Sequence, residues 1–418
     1  MNTPLEQVRV LADLETFDGP RTMGYLACQT TRGHQVFSFE YDQNWLKQPE
    51  ALSFDPELQL VTGPQYPRHE RGNFGVFLDS APDRWGRVLM QRRENLRARE
   101  GGRRPRTLGD WDFLLGVHDE TRLGALRFQD LRDEHFISSD ADLAVPPISS
   151  LRELQSASLA FETHAEEEDH PEYRAWLDQL LAPGTSLGGA RPKATVRDEN
   201  DRLCVAKFPS RQDRHDVGAW ELVLHKLAAR AGIQVPETGG MKIGNSNYTT
   251  FLSRRFDRTA QGRRRAFVSA MTLTQRTDGE EGASYLELVE LLQTDGAQPR
   301  EDLQELFRRV LFNILVHNTD DHLRNHGFLI GKSGIQLSPA FDLNPTPDRT
   351  DLSLAINEVE TACEVEIAMN AAKDFGLKSK QADEALAAVQ EAVAEWRAAA
   401  REAGIPQADI NRMTPAFE

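Results

Sequence analysis

The residues best suited to chemistry lie in His317-Asn318-Thr319-Asp320-Asp321-His322-Leu323-Arg324-Asn325-His326-Gly327-Phe328 and, further on, in Leu337-Ser338-Pro339-Ala340-Phe341-Asp342. Asp320 and Asn325 stand five positions apart, the D-x-x-x-x-N spacing of a phosphoryl-transfer loop. Asp342 follows 342 − 325 = 17 positions later. The short apolar run between them has the length of a hairpin that would carry the second Asp back to the first loop. ATP is strongly anionic, and the transferring group spreads more charge over its oxygens. Mg²⁺ is a hard ion that takes oxygen ligands, so one carboxylate and one amide suit it. A further carboxylate beside an incoming hydroxyl orients it and accepts its proton. These types and spacings assign Asp320 as the base and Asn325 and Asp342 as Mg²⁺ ligands. D-x-x-x-x-N alone is a common spacing in polar loops; the second Asp and the upstream residues give it weight.

Upstream residues suit the nucleotide itself. Thr185-Ser186-Leu187-Gly188-Gly189-Ala190-Arg191-Pro192-Lys193 precedes a strand, and its small residues, Gly188 and Gly189 above all, let backbone N–H groups approach phosphate oxygens. Lys193 would add a positive charge there. The stretch is not the G-x-x-x-x-G-K-[ST] loop, and taken alone it reads as an ordinary glycine turn. Lys207, in Val205-Ala206-Lys207-Phe208-Pro209, is one charge in an apolar strand, where a phosphate-contacting lysine would stand. The plainer reading is a lysine that snorkels to solvent. Glu221 follows by 14 positions in the next helix and is the expected partner of Lys207. Arg255 and Phe256 fall in the segment expected to be a hinge, whose backbone would meet adenine, and Asp257 would accept from ribose hydroxyls.

Strands and helices must hold these groups. Runs at Val8–Leu14, Thr22–Cys28 and His34–Tyr41 alternate as antiparallel strands do. Ser80 or Asp83 is placed to cap a helix that begins near Arg84. Two strands at 195–197 and 203–208, a helix from Val217 to Ala231 and strands at 241–243 and 249–252 follow. Beyond Arg258 helices dominate. Residues 301–317 form an amphipathic helix that runs into the Asp320 loop, and 382–403 a long Ala-rich one. Strands followed by helices, with the reactive loop after a long helix, is the order of a bilobal kinase.

The chain has 418 residues, enough for two or three domains, with 39% hydrophobic and 27% charged residues as in a globular protein. No apolar run approaches the roughly 20 residues of a membrane helix, no secretory leader is visible at Met1, and no membrane partner is expected. Cys28, Cys204 and Cys363 are odd in number and widely spaced, which argues against disulfides and zinc and fits a reducing cytoplasm. A net charge of −16 repels nucleic acid. Arg84–Arg106 goes the other way, with nine Arg against two Glu, and could meet phosphate, an acidic partner or the chain's own acids. The acidic run Glu166–Asp169 reads as a solvated helix end.

Taken together, the sequence resembles the HipA-type serine/threonine kinases, the toxin halves of bacterial type II toxin–antitoxin pairs. The motifs that carry the resemblance are Ser186–Lys193, Ala206-Lys207-Phe208-Pro209, Arg255-Phe256-Asp257-Arg258, Asn318-Thr319-Asp320-Asp321-His322 with Asn325, and Ser338–Asp342. Gly24-Tyr25-Leu26, Phe39-Glu40-Tyr41 and Pro82–Arg87 resemble the same family's extra domain. The resemblance implies an α+β, protein-kinase-like bilobal fold with an N-terminal β-rich subdomain and an all-helical C-terminal lobe. Its divisions would be 1–130, 145–258 and 259–418. Asp320 would match the base, Asn325 and Asp342 the Mg²⁺ ligands, Lys207 the ATP lysine, and His322 a neighbour of the nucleotide. Ser186 would match a serine that such kinases autophosphorylate, adding about −1.5 to −2 charges beside the ATP phosphates and expelling the loop. Members phosphorylate aminoacyl-tRNA synthetases and bind a small helix-turn-helix antitoxin, HipB-like, that also holds operator DNA. Arg191-Pro192 and Ser269–Gln275 depart from the better-known toxins and bear on the protein substrate.

Three rival readings stand beside this one. A small-molecule kinase of the aminoglycoside-phosphotransferase type shares the Asp, Asn, Asp order. A non-catalytic kinase-like binding protein would have no chemical reason to keep Lys207, Asp320, Asn325 and Asp342 together. A metal-dependent nucleic-acid enzyme would leave Lys207 unexplained.

Overall fold

The computed structural model describes residues 6–68, 72–140, 145–165, 167, 170–184 and 189–418. The chain divides into two compact units, Met1–Gln212 with Asp257–Val268, and Asp213–Phe256 with Ser269–Glu418. Antiparallel sheets and helices alternate in both, so the fold class is α+β. Among the described residues no helix is long and apolar enough to cross a membrane.

The first unit contains β1 (Gln7–Ala12), β2 (Arg21–Thr31), β3 (His34–Tyr41), α1 (Gln43–Leu46), α2 (Gly75–Asp79), α3 (Arg84–Glu100) and α4 (Asp110–Gly116). It continues with β4 (Leu126–Asp130), α5 (Leu151–Thr163), α6 (Tyr173–Gly184), β5 (Lys193–Arg197) and β6 (Leu203–Lys207). The first four strands pair in the order β3-β2-β1-β4, all antiparallel. Side chains alternate across a strand, so Phe37, Phe39 and Tyr41 of β3 share one buried face. Phe77 of α2 packs 5.7 Å from Phe39 and 6.1 Å from Phe128 of β4. Asp83 caps α3, its carboxylate accepting from Gly86 N at 2.7 Å. That helix buries Trp85, Leu89, Met90 and Ala98 and exposes Arg84, Arg97 and Arg99; Trp85 meets Phe161 of α5 edge-on at 5.7 Å. The chain's own acids answer part of this basic stretch: Arg87 pairs with Asp110 (3.0 Å), Arg106 with Asp112 (2.6 Å) and Arg103 with Glu94 (2.9 Å).

Residues 257–268 belong to the first unit because two buried arginines anchor them there. Arg258 donates to the Arg122 carbonyl at 2.8 Å, and Arg264 donates to the carbonyls of Asp119 (2.6 Å) and Arg122 (3.2 Å). The segment 145–258 is therefore shared between the two units, unlike its sequence division.

The second unit opens on α7 (Val217–Arg230), then β7 (Thr238–Lys242) and β8 (Thr249–Arg254), which pair antiparallel. Asp216 caps α7 through Ala219 N (3.1 Å) and also holds Thr249 N and Oγ1 at 2.8 Å each. Gly218 lets the first turn lie directly on β8: a Cβ there would stand 2.2 Å from the Thr249 carbonyl oxygen. After β9 (Ala266–Ser269), at the boundary of the units, come α8 (Ala270–Leu273), α9 (Tyr285–Asp295), α10 (Pro299–Leu315), β10 (Gly327–Gly331), β11 (Gly334–Leu337), α11 (Val365–Ala371), α12 (Ser379–Ala394), α13 (Trp396–Glu402) and α14 (Gln407–Met413). Helices dominate, and the β10–β11 hairpin sits between Asn325 and Asp342, where the spacing called for one. The apolar stripe of α10 (Leu306, Phe307, Val310, Leu311, Ile314) is 2% exposed or less and shares a core with Leu224, Leu227, Val389 and Trp396. Burying each such side chain contributes about 1.5–3 kcal/mol. The Ala-rich stretch is two helices rather than one, broken at Glu395, and Trp396 stacks on Phe417 at 4.3 Å.

Candidate active site

The end of α10 aims the reactive loop. Its last turn closes with Asn318 N bonded to the Asn313 carbonyl (2.9 Å) and His317 N to that of Ile314 (3.3 Å). This is the paired closure that needs a left-handed residue just past the helix, usually Gly; here His317 takes it, with φ 44°. The reversal swings Asn318 and Thr319 inward, both buried, and throws Asp320 out, with 69% of its side chain exposed. Asp321 is buried again. A short 3₁₀ turn, Leu323–Asn325, follows, pinned by buried Leu323. Asn325 Nδ2 donates to the Asp320 carbonyl at 2.6 Å. With its nitrogen so used, the other end of the Asn325 amide is an oxygen acceptor. The His322 ring stands 3.9 Å from the Asp320 carboxylate.

The hairpin then carries the chain back. Ser338 N bonds to the Gly327 carbonyl (2.9 Å) as β11 ends, and buried Arg309 of α10 donates to the Ser338 carbonyl at 2.8 Å. Glu305 offsets the Arg309 charge at 2.9 Å and also accepts from Gln234 N at 2.9 Å. Asp342 takes a left-handed backbone, φ 58°, at a cost of roughly 1–2 kcal/mol for a residue with a Cβ. Two bonds then stitch the loops together: Asn344 N to Asn318 Oδ1 (3.0 Å) and Thr346 N to the His317 carbonyl (2.9 Å). Asp342 thus lies two residues from a clamp whose other side lies two residues before Asp320. A cavity of about 20 Å³, lined by Asn318, Asp321, Asn325, His326, Ala340 and Phe341 among others, lies between the loops; it has room for about one water.

Beneath the loops is a polar cluster that spacing did not single out. Asp321 accepts from the Tyr285 hydroxyl and, at 2.7 Å, from Ser353 N. Burial pushes the Asp321 carboxyl up to about 7 and the Tyr285 phenol well above its usual range. His326, whose Nε2 meets the Asp321 carbonyl at 3.2 Å, is pushed down to about 3, mainly by burial and then by the Arg309 charge. Asp321 was visible in the motif; Tyr285 and Asn313 gave no local signal, being 36 and, from Tyr285, 28 positions away from their partners.

Asn325 and Asp342 offer the oxygen donors that suit a hard cation such as the expected Mg²⁺. Among the described residues no group of three or more His, Cys, Asp or Glu side chains could hold a metal. A cation taking one carboxylate and one amide oxygen here would complete its shell from phosphate oxygens and water, as Mg²⁺ does.

In the first unit, Lys193 and Lys207 face each other across the β5–β6 pair. Like charges directly opposite repel, and buried Asp83 answers one of them, 2.8 Å from Lys193 Nζ. Lys193, expected at the phosphates, is instead 2% exposed and tied to the residue that caps α3. Lys207 is half-buried on β6. Gly189 has φ 100°, the left-handed region that favours glycine; Ser186 and Gly188 lie outside the described residues. Asp257, expected at ribose, is 1% exposed and spent on Gly124 N (2.9 Å) and Arg258 (2.6 Å). A carboxylate so enclosed has no face for a sugar hydroxyl. In the second unit, Glu221 is buried on α7 and Arg255 is buried after β8, while Phe256 packs 5.6 Å from Phe341, the neighbour of Asp342.

The family described as "HipA-like C-terminal domain" matches residues 185–396, about half the chain. A "Putative kinase" of Haemophilus influenzae is 26% identical over 187 residues, 40% of this chain and 54% of that protein. "Putative kinase Y4mE" of Sinorhizobium fredii is 28% identical over 159 residues, 36% of each. The chain thus spans about half the length of the first relative and about a third of the second. The structure of Shewanella oneidensis MR-1 HipA, solved with HipB and its operator DNA, matches with a TM-score of 0.64 and 16% identity over 98% of this chain and 96% of that one. That likeness shows a shared fold. With a family match over residues 185–396 and this fold, the chain belongs to the HipA-type proteins, the family of the HipA-like C-terminal domain.

Proposed function

We propose that this chain is a Mg-ATP-dependent protein serine/threonine kinase. In this reading Asp320 accepts the proton of a Ser or Thr hydroxyl as its oxygen bonds to the γ-phosphorus and the bond to the β-phosphate oxygen breaks. Asn325 and Asp342 hold the ion, which neutralises charge on the phosphate oxygens when bound. Lys207 meets the α- and β-phosphates, with Glu221 as its partner. The Arg255–Phe256 backbone meets adenine, and Gly188 and Gly189 cradle the phosphates. The observation that carries the reading is the stitching of the Asp320–Asn325 loop to the Asp342 loop, with Asp320 itself open to solvent.

Ser186 is the proposed autophosphorylation site, and an aminoacyl-tRNA synthetase the proposed class of protein substrate. A HipB-like helix-turn-helix antitoxin is the proposed partner, with operator DNA held mainly through it. Incubation with γ-labelled ATP, alone and with candidate synthetases, tests the whole. Label on Ser186 and on a synthetase, lost in Asp320→Ala, supports it. Label that appears only on added small hydroxyl compounds would replace it with a small-molecule kinase, and no transfer from wild-type protein would end it.

A further inference from the structure

The buried polar groups of the second unit form a relay with one direction. Asn344 N donates to Asn318 Oδ1 (3.0 Å), Asn318 Nδ2 to Asn313 Oδ1 (3.0 Å), Asn313 Nδ2 to the Tyr285 hydroxyl (2.9 Å), and that hydroxyl to Asp321. Each group donates forward, so each bond polarises the next. The relay begins two residues beyond Asp342 and ends on the residue after Asp320. Between them it passes through α10 and α9, two helices of the main core. Tyr285, Asn313, Asn318 and Asp321 are all 3% exposed or less. None can rotate away without stranding a buried donor or acceptor.

We propose that Tyr285, Asn313 and Asn318 are positioning residues that set the register between the two loops, so that one cation takes oxygens from Asn325 and Asp342 together. The inference rests on the kinase reading above. A bland alternative is that these groups only satisfy one another in the core. The two differ in what they do to the cation: a packing role lowers stability, whereas a positioning role weakens metal binding beyond any loss of stability.

The experiment is Mn²⁺ binding, followed by the paramagnetic resonance of the free ion, to intact protein with a non-hydrolysable ATP analogue. Tyr285→Phe keeps the ring in place and cuts the relay at its middle; Asn318→Ala cuts it at the loop clamp. Both should weaken Mn²⁺ about 10- to 100-fold, as lost support of a metal ligand does, with metal-free binding of the analogue unchanged. Ile314→Val, on α10 but off the relay, serves as the control for lost packing. Wild-type Mn²⁺ affinity in both relay variants overturns the proposal. So does an equal weakening in Ile314→Val at a matched loss of thermal stability. If wild-type protein itself binds no Mn²⁺ with the analogue, or Asp342→Asn binds it as well as wild type, the kinase reading fails instead.

Discussion

The two units solve the burial of polar groups in opposite ways. In the first, Arg122, Arg258 and Arg264 are packed into a knot of charge and carbonyls. Arg122 donates to the carbonyls of Ser80 (3.0 Å), Leu114 (2.8 Å) and Val117 (2.9 Å), while Arg264 also lies 3.7 Å from Asp13 and from Asp119. In the second, the groups under the Asp320 loop are mostly amides and a phenol, and the buried Arg309 guanidinium is paired with Glu305 at 2.9 Å. A charged knot is closed: its donors are spent on fixed carbonyls, and it holds shape. The relay also holds position, through uncharged amides and a phenol, and ends on Asp321, whose carboxyl burial pushes up to about 7.

That contrast can be broken in measurable steps. Asp320→Ala should cut phosphoryl transfer by about 10²–10⁴, the usual worth of a general base, with the unfolding midpoint unmoved because the side chain is exposed. Retained activity would remove Asp320 from the mechanism. Arg264→Ala leaves Asp13 and Asp119 to Arg127 alone and the Asp119 carbonyl without its 2.6 Å donor, and should cost about 1–3 kcal/mol of stability in urea unfolding, with nucleotide binding to the folded fraction kept. Lys193→Ala takes from Asp83 its ion-pair partner and leaves it the Gly86 N–H, at roughly 1–3 kcal/mol. Its affinity for an ATP analogue, measured by calorimetry, should stay within about twofold. Lost affinity at full stability would return Lys193 to the phosphates.

The smallest effect is a pH slope. Asp321 keeps its proton to about pH 7 in the folded chain, whereas an unfolded Asp releases it near about 3.9. Its contribution therefore falls as pH rises between those values. His326, neutral down to about pH 3 when folded, protonates near about 6.5 when unfolded, so its contribution is lost as pH falls. The two oppose each other over the same range. Asp321→Asn removes only the first, so the metal-free variant should lose stability more steeply than wild type on acidification from about pH 6.5 to 4.5. Equal slopes in urea midpoints would show that Asp321 is not protonated in the folded chain.

Local pattern made much of the fold legible. Alternation marked β1 to β3, apolar spacing marked α7 and α10, and Asp83 stood where a cap belongs. The 17-residue step from Asn325 to Asp342 was readable because a hairpin is a local object. What sequence did not disclose depends on distant partners. Lys193 is claimed by Asp83, 110 positions away, and Asp257 by Gly124, 133 positions away. Side chains that look suited to phosphate or sugar are suited to buried ion pairs for the same reason. The turn that exposes Asp320 was hidden because His317, not Gly, takes the left-handed position. The relay was hidden because Tyr285 lies on another helix, and a lone tyrosine in an apolar stripe looks like core.

Gly218 carries a consequence of its own. The α7 helix rests on β8 with no gap at that point, and Glu221 is less than one turn further on. A single methyl at 218 would act as a wedge, prising the helix off its bed and moving Glu221 with it while every ionisable group in the protein survived. For the proposed kinase, Gly218→Ala is therefore an allele expected to act on Glu221 through posture alone, useful wherever a charge-altering lesion would confound the result.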